Sequence, residues 1–440
     1  MKFASFAQDL SGTKARLCRF AMSLLALSGL VHGQTQPNKL QSFQEFIAST
    51  STSTLSDYTS RPNSHVKDGV AFDDMRQHIL DLYQGVQVNH SFLLEGHAYD
   101  CVPVEQQASL RMYGDGNIAT PPPAETMRQT QNANITPTTQ IDAGSLIDAF
   151  GNATRCEDNT IPMRRVTLED MTQFNTLRDF FAKGRTGAGD SYDPNMPEPG
   201  DAYVHHYATA YKNVTNLGGN SDLNLWNPKV DTSKGDAMSL SQQWYSAGSP
   251  LQTAEVGWQV QPNAWGTNKA VLFIYYTADD YNNTGCYNLD CGAFVQVAND
   301  WYFGDGFTHY SKFGGTQYYF QAEFYLYQGN WWLELGGEWV GYYVGSIYGS
   351  GAMRHHATDI EFGGEVAGLG HWPQMGSGKW PSKGFEYAAY QSDIWYFNTS
   401  KKKVWPHLTI YQDSPQCYKV GGLTYNPTSF YFGGPGGGGC

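Results

Sequence analysis

The feature that most constrains this fold is a change in hydrophobic period near residue 200. Beyond that point, short segments rich in Val, Ile, Phe, Tyr and Trp alternate with Gly, Asn or Pro turns. Many short strands without intervening helices are typical of an antiparallel sandwich or barrel. The sequence therefore predicts an all-β domain over residues 201–440. Its predicted strands are Ala270–Thr277, Ala293–Ala298, Gln317–Tyr327, Trp331–Leu335, Trp339–Val344, Asp359–Val366, Asp393–Phe397 and Ser429–Phe432.

The region before residue 200 differs in composition and in hydrophobic pattern. Residues 34–184 are polar and contain helical patches such as Leu40–Ile47. A capping box at Thr167–Asp170 opens an amphipathic pattern, which predicts one helix of about four turns that ends near Lys183. Glycine, proline and charged residues then fill positions 185–200. We expect a smaller N-terminal domain there, followed by a flexible linker.

The N-terminus has the pattern of an export signal. Basic residues precede an apolar run at Phe20–Val31, and small residues surround a cleavage point after Gly33. The run is shorter than the roughly 20 residues that a membrane-spanning helix needs. We therefore expect residues 1–33 to be a signal peptide of a secreted, extracellular protein with no membrane partner.

Composition limits the classes of partner. The chain of 440 residues has 41 acidic and 28 basic side chains, which give a net charge of -13. A surface that binds nucleic acid usually has a basic excess, so we expect no nucleic-acid partner. Aromatic residues make up 15% of the chain, and 48 residues are glycine, which fits a β-rich protein.

The cysteines fit an oxidising compartment. Removal of the signal peptide with Cys18 leaves six cysteines, and six allow fifteen connectivities. Spacing suggests the pairs Cys101–Cys156, Cys286–Cys291 and Cys417–Cys440, although spacing alone does not choose among the connectivities. A zinc site is the rival interpretation, but no second pair matches the one at 286 and 291. Candidate glycosylation sites are Asn89, Asn134, Asn152, Asn213, Asn282 and Asn398.

Several common catalytic motifs are missing from the sequence. It contains no Gly-x-Ser-x-Gly and no His-Glu-x-x-His, so neither a nucleophile-elbow hydrolase nor a zincin is supported. The pairs His205-His206 and His355-His356 are poor metal sites if they lie on strands, because neighbouring strand residues point to opposite faces. We expect neither a metal nor a cofactor.

Two carboxylates lie in apolar, glycine-flanked segments that read as strands. Glu255 lies in Ala-Glu-Val-Gly-Trp, and Glu365 follows two glycines and precedes Val366. If one sheet face brought both together, they would share a proton, one acting as base towards water and the other as acid or oxyanion donor. Glu338, in Gly-Gly-Glu-Trp, has a similar context, so local chemistry alone leaves the choice open.

Ordered motifs along most of the chain resemble the neprosin family of secreted glutamic endopeptidases. In the N-terminal region the similarity lies at Asp100-Cys101-Val102, Gln107, Cys156 and Thr160–Arg165. In the second region it lies at Ser239–Gln242, Glu255–Val260, Gly285–Cys291, Trp331–Leu333, Gly363–Val366, Met375–Gly378 and Phe432–Gly436.

This resemblance implies a fold, a dyad and a mode of control. It places the catalytic glutamates at Glu255 and Glu365. It also implies a β-sandwich peptidase domain at 201–440, which follows an activation peptide of mixed α/β structure at 34–184. That N-terminal region would inhibit the enzyme until acid triggers its removal, and cleavage of peptide or protein substrates would follow proline. Gln242 and Trp258 are candidate oxyanion or cleft residues.

Two other functions remain open. A secreted glycoside hydrolase also uses paired carboxylates, often beside Trp and Tyr platforms. A non-catalytic glycan-binding sandwich would use Glu255 and Glu365 only as polar positions. Release of reducing sugar would favour the hydrolase, and glycan binding that survives substitution of both glutamates would favour the binding protein.

Overall fold

The N-terminal region is a mixed α/β structure in which helices pack on a small antiparallel sheet. The computed structural model describes residues 39–123, 147–183 and 203–440. In the first two of these ranges, strand β2 lies between β1 and β3. The elements are α1 Phe43–Thr52, α2 Gly69–Leu82, β1 Ser91–Leu94, β2 His97–Pro103, α3 Ala108–Met112, β3 Thr160–Arg164, α4 Leu168–Met171 and α5 Leu177–Phe181.

The predicted single helix after Thr167 is instead two short ones. The capping box of Thr167 and Asp170 is present and starts α4, as predicted. A second capping box, formed by Thr176 and Asp179, then starts α5. The Thr176 hydroxyl accepts the backbone N–H of Asp179, so the chain begins another helix rather than continuing the first.

The region from residue 203 onward is built almost entirely from antiparallel strands. Strongly apolar segments such as Val271–Thr277 are buried along their whole length. Its elements are β4 Val204–Asn216, β5 Gly218–Asn224, β6 Asp236–Ala247, β7 Gln252–Val260, α6 Pro262–Trp265, β8 Val271–Thr277, β9 Cys286–Tyr287, β10 Phe294–Gln296, β11 Tyr319–Tyr327, β12 Asn330–Leu335, β13 Glu338–Tyr343, β14 Ala357–Gly368, β15 Ala389–Phe397, β16 Lys403–Val404, β17 Thr409–Gln412, β18 Lys419–Thr424 and β19 Thr428–Gly433.

These strands form two sheets packed face to face, which confirms the all-β sandwich. Sheet I has the order β17-β4-β14-β6-β7-β8-β9. Sheet II has the order β10-β13-β12-β11-β5-β15-β19-β18, with β16 beside β15. Across the interior, the ring of Tyr245 on β6 lies 5.8 Å from Phe324 and 6.2 Å from Trp331. The core is therefore an aromatic layer between the sheets.

The N-terminal region packs against this sandwich through residues of its own signature motifs. The Gln107 side chain donates to the carbonyl of Gln296 on β10 at 2.7 Å and accepts that residue's N–H at 2.9 Å. It thereby satisfies the backbone of an edge strand. Within the N-terminal region, the buried Arg165 guanidinium binds Asp100 on β2. The described residues all belong to one compact unit, Lys39–Cys440.

The disulfides agree with the pairs that spacing suggested. Cys101–Cys156, Cys286–Cys291 and Cys417–Cys440 are bonded. Disulfides of this kind fit an oxidising compartment. In the part of the chain that is described, no helix is long and apolar enough to cross a membrane.

Some predictions fall on residues outside the described ranges. These are the signal peptide at 1–33, the linker at 185–200 and the sequon at Asn134. The boundary between the N-terminal and sandwich domains stays a prediction. So does glycosylation, although the Asn89, Asn213 and Asn282 side chains are exposed and those of Asn152 and Asn398 are half-buried.

Candidate active site

Sheet I brings the two predicted glutamates to one face. Glu255 on β7 lies opposite Trp244 of β6, and Glu365 on β14 lies opposite Leu240 of the same strand. Residues that pair across antiparallel strands share a face, and positions 240 and 244 of β6 are an even number apart. Both carboxylates therefore project from the outer face of sheet I, on either side of β6.

Glycines make room between these two carboxylates. Gln242 of β6 has Gly257 of β7 on one side and Gly363 of β14 on the other. A Cβ on Gly257 would lie 2.1 Å from the carbonyl oxygen of Ser241, so no other residue fits there. The Gln242 side chain is consequently free to reach Glu255, to which its amide donates at 2.8 Å.

Glu255 is fully buried and is held by neutral donors of the sandwich. Its Oε1 accepts the hydroxyl of Thr253 at 2.7 Å and the phenol of Tyr281 at 2.8 Å. Its Oε2 accepts the Gln242 amide. Burial, followed by the charge of Glu255, raises the pKa of Tyr281 well above its ordinary value. The phenol therefore stays protonated and donates its hydrogen bond to Glu255 at acid and neutral pH.

Glu365 is equally buried but has a different set of partners. Its Oε1 lies 2.7 Å from Nδ1 of His205 and accepts the hydroxyl of Tyr207 at 3.3 Å. Burial alone would raise the pKa of Glu365. The Lys183 ammonium and the His205 ring outweigh it and lower that pKa to about 2.

Lys183, from the end of the N-terminal region, joins the two carboxylates. Its Nζ lies 2.8 Å from Oε2 of Glu255 and 3.1 Å from Oε2 of Glu365. The ammonium also lies over the rings of Trp244 and Tyr281, 5.3 and 5.6 Å from their centroids. Burial opposes the charge of Lys183, but the two carboxylates raise its pKa. One cation thus occupies the space that the two glutamates share.

Further carboxyl groups line the same face of β14. Burial raises the pKa of Asp359 to about 7, and Glu361 adds to that effect. Burial also raises the pKa of Glu361, whose carboxylate accepts the hydroxyl of Thr209. Among the residues described, no group of three or more His, Cys, Asp or Glu side chains is arranged to hold a metal ion.

The structure separates the two predicted helper residues. Gln242 lies beside Glu255 and donates its amide to that carboxylate, and its role as an oxyanion or cleft residue stays a prediction. Trp258 instead packs in the interior, and its indole N–H donates to the carbonyl of Asn224. It stands three positions from Glu255 on β7, and alternation along a strand directs it to the opposite face. The prediction that Trp258 lines the cleft is therefore wrong, and Trp258 belongs to the core between the sheets.

Sequence reasoning missed five residues that contact the dyad, namely Lys183, His205, Tyr207, Thr253 and Tyr281. His205 belongs to a His-His pair whose members do point to opposite faces, since His206 contacts Asp413. The pairing of β4 with β14 places His205 on the same face as Glu365, but the sequence analysis did not recognise β4 as a strand. For Lys183 no local signal exists, because its partners are remote in sequence. Glu338 lies on sheet II, where it accepts the indole N–H of Trp301.

The site defines a class of protein: a β-sandwich with two buried glutamates on one sheet face. The Neprosin family model matches residues 235–435, which include both glutamates. The match to this family model confirms the resemblance read from the motifs.

Two solved structures are also similar to this chain. They are scytalido-glutamic peptidase with a transition state analog inhibitor and the same peptidase with a peptide-based transition state analog. The first has a TM-score of 0.30 and 9% identity, the second a TM-score of 0.29 and 8% identity. Each match covers 52% of this chain and 98% of the other.

Proposed function

We propose that this protein is a glutamic endopeptidase, a hydrolase that activates water between Glu255 and Glu365. The observation that carries the proposal is the shared contact of both carboxylates with one nitrogen atom, Nζ of Lys183. A water molecule is close in size to an ammonium group. A water at the position of that nitrogen would hydrogen-bond to both glutamates when Lys183 is elsewhere.

The chemistry requires that the dyad carry one proton. The ionised glutamate takes a proton from the water as the water oxygen bonds to the scissile carbonyl carbon. The protonated glutamate gives its proton to the carbonyl oxygen, which produces a gem-diol. On collapse, the first glutamate protonates the amine nitrogen as the C–N bond breaks, and one hydroxyl returns its proton to the second. Both carboxyls regain their starting states, and no bond to the enzyme forms.

The position of Lys183 supports synthesis as a latent precursor. Lys183 belongs to the region that the family resemblance assigns to an activation peptide, and its ammonium fills the place of the attacking water. A substrate carbonyl could not approach the dyad in this form. The proposal therefore includes intramolecular inhibition by the N-terminal region, with removal in acid. Secretion rests on the predicted signal peptide and on the disulfides.

Cleavage after proline is the finer part of the proposal, and it rests on the resemblance. The rings of Trp244 and Tyr281 flank the Lys183 ammonium. Aromatic faces offer a flat apolar surface against which a pyrrolidine ring packs. We therefore expect a proline side chain to pack against one of these rings when substrate occupies the cleft.

The test compares four full-length proteins brought to pH about 3–4, where carboxyl groups titrate. These are the parent, Glu255→Gln, Glu365→Gln and, as a matched control, Glu338→Gln. Mass spectrometry follows loss of the N-terminal region and cleavage of a proline-containing peptide. Peptidase activity in the parent and the control, but not in the dyad variants, supports the proposal. Folded parent protein that cleaves no peptide, or active dyad variants, would overturn it, and a glycan panel would then test the two alternatives.

A further inference from the structure

The two glutamates differ in the kind of partner that the sandwich gives them. Glu365 contacts an imidazole, since Oε1 lies 2.7 Å from Nδ1 of His205 on β4. Glu255 receives two hydroxyls and an amide, from Thr253, Tyr281 and Gln242. An imidazole becomes a cation in acid, whereas hydroxyl and amide groups stay neutral. The environment of the dyad is therefore asymmetric in charge.

This asymmetry survives the loss of Lys183. Lys183 binds both carboxylates, so it does not distinguish them, and under the proposed function it leaves with the N-terminal region. His205 lies on β4 inside the sandwich and remains. In the described part of the sandwich, Glu365 then keeps an ionisable basic partner, whereas Glu255 keeps hydrogen-bond donors without charge.

We propose that His205 is a positioning residue that holds Glu365 as the ionised member of the dyad. Glu365 is then the base that takes the proton of the attacking water, and Glu255 carries the proton that passes to the carbonyl oxygen. This inference rests on the proposed peptidase function and assigns a different role to each of the two glutamates. A cation within hydrogen-bonding distance favours the charged form of a carboxylate, and the same contact fixes the orientation of its second oxygen towards the water.

Once Lys183 has left with the N-terminal region, the other groups around Glu365 do not supply that charge. Burial, followed by the charge of Glu365, raises the pKa of Tyr207, which therefore stays a neutral phenol. Burial also raises the pKa of Glu361, and a second carboxyl nearby opposes rather than favours ionisation of Glu365. The titratable or charged groups that face Glu365 are Lys183 from the N-terminal region, His205 and Tyr207 from β4, Glu361 from β14, Glu255 from β7 and Tyr281 from the segment after β8.

The experiment is the pH profile of kcat/KM for the acid-activated enzyme. The rate should rise with pH as the base ionises and fall as the acid ionises, which gives two limbs. In His205→Asn we expect the acidic limb to move to higher pH by about 1–3 pH units, as expected for loss of an adjacent opposite charge. At pH values below the limb, each pH unit of displacement equals a loss of about tenfold in kcat/KM. The basic limb should stay in place.

Two further variants separate charge from hydrogen bonding. His205→Gln retains an N–H donor without charge, and we expect it to behave like His205→Asn. His205→Lys restores a cation, and its acidic limb should return towards that of the parent. The matched control is His206→Asn, because His206 is the next residue on β4, points to the opposite face and contacts Asp413. Both of its limbs should coincide with those of the parent.

The outcomes distinguish this inference from the proposed function. The inference about His205 is overturned if the acidic limb of His205→Asn does not move, or if the basic limb moves instead. The peptidase proposal still stands in that case, provided that Glu255→Gln and Glu365→Gln are inactive. Equal displacement in the Asn and Lys variants also overturns the inference about His205, since charge would then be irrelevant. If Glu255→Gln and Glu365→Gln remain active, the peptidase proposal itself fails. Should His205→Asn not fold, the limb measured in His205→Gln decides.

Discussion

The ammonium nitrogen of Lys183 lies 2.8 Å from Oε2 of Glu255, in a contact that is almost closed to solvent. The side chains are 10% and 0% exposed, so each charge depends on the other for its stability. Removal of one partner from a buried ion pair leaves the remaining charge without compensation, which costs about 3–5 kcal/mol. This contact is therefore the point at which a single substitution should most affect the proposed latency.

Lys183→Met should destabilise the closed form, in which the Lys183 ammonium lies against both glutamates. The variant leaves two buried carboxylates side by side without their shared cation, and their repulsion favours departure of the N-terminal region. We expect the half-maximal pH of activation to rise and processing at a given acid pH to become at least tenfold faster. The measurement is the rate of mass loss and of peptide cleavage across pH 2–7.

The control for this substitution is Lys67→Met, at an exposed lysine of the same region. It removes the same charge from the N-terminal region without touching the dyad, so its activation profile should match that of the parent. A Lys183→Met profile that also matches the parent would show that this ammonium does not hold the region closed.

Acid should open the closed form within a defined pH window. The pKa of Glu365 is about 2 in the closed form, below its ordinary value of 4.5. A carboxyl with a lowered pKa stabilises the closed form above its ordinary pKa and loses that contribution as pH falls towards the lowered value. We expect opening to begin near pH 4.5 and to be complete near pH 2.

Hydrogen–deuterium exchange of the peptide around α5 measures this opening, with α2 as an internal reference. Protection of α5 relative to α2 should be constant from pH 7 to 5 and fall below pH 4.5. Protection that is already lost between pH 7 and 5 would contradict the assignment of Glu365 as the titrating group.

Gln242→Ala should lower turnover without unfolding the protein. The amide of Gln242 donates to Glu255 and stands next to the place of the water. Loss of a preorganised donor at a developing charge typically costs about 10²–10³ in kcat. We expect that loss with little change in KM. Gln416→Ala, at a residue that contacts Ser414 and the carbonyl of Cys440, should leave both constants unchanged.

Arg165→Met should destabilise the N-terminal region. The Arg165 and Asp100 side chains are 3% and 0% exposed, so the substitution leaves a buried carboxylate unpaired at a cost of about 3–5 kcal/mol. Thermal unfolding of the full chain should show a lower midpoint or an early transition. In Lys39→Met, which breaks an exposed pair with Glu45, the change should stay below about 1 kcal/mol. Equal effects of the two variants would contradict the expectation that a buried ion pair matters more for stability than an exposed one.

Local pattern was sufficient for the strands that are apolar along their length. Every predicted strand after residue 270 is present in the sandwich, because buried β-branched and aromatic segments between turn residues have few alternatives. The polar strands β4, β5 and β6 were not recognised. Segments such as Gly218–Asn224 carry Gly, Asn, Ser and Asp, which are rare in strands, and only pairing with β11 and β15 makes them part of a sheet.

The sequence by itself determined the family resemblance and, through it, the two candidate catalytic glutamates. Spacing suggested the disulfide pairs that the structure contains, without choosing among the possible connectivities. Tertiary structure alone decided which groups meet those glutamates. Lys183 and His205 reach Glu365 from other segments of the chain, and Trp258 faces the interior although it lies three residues from Glu255. Contacts between remote segments depend on sheet order and register, which no local pattern of residues encodes.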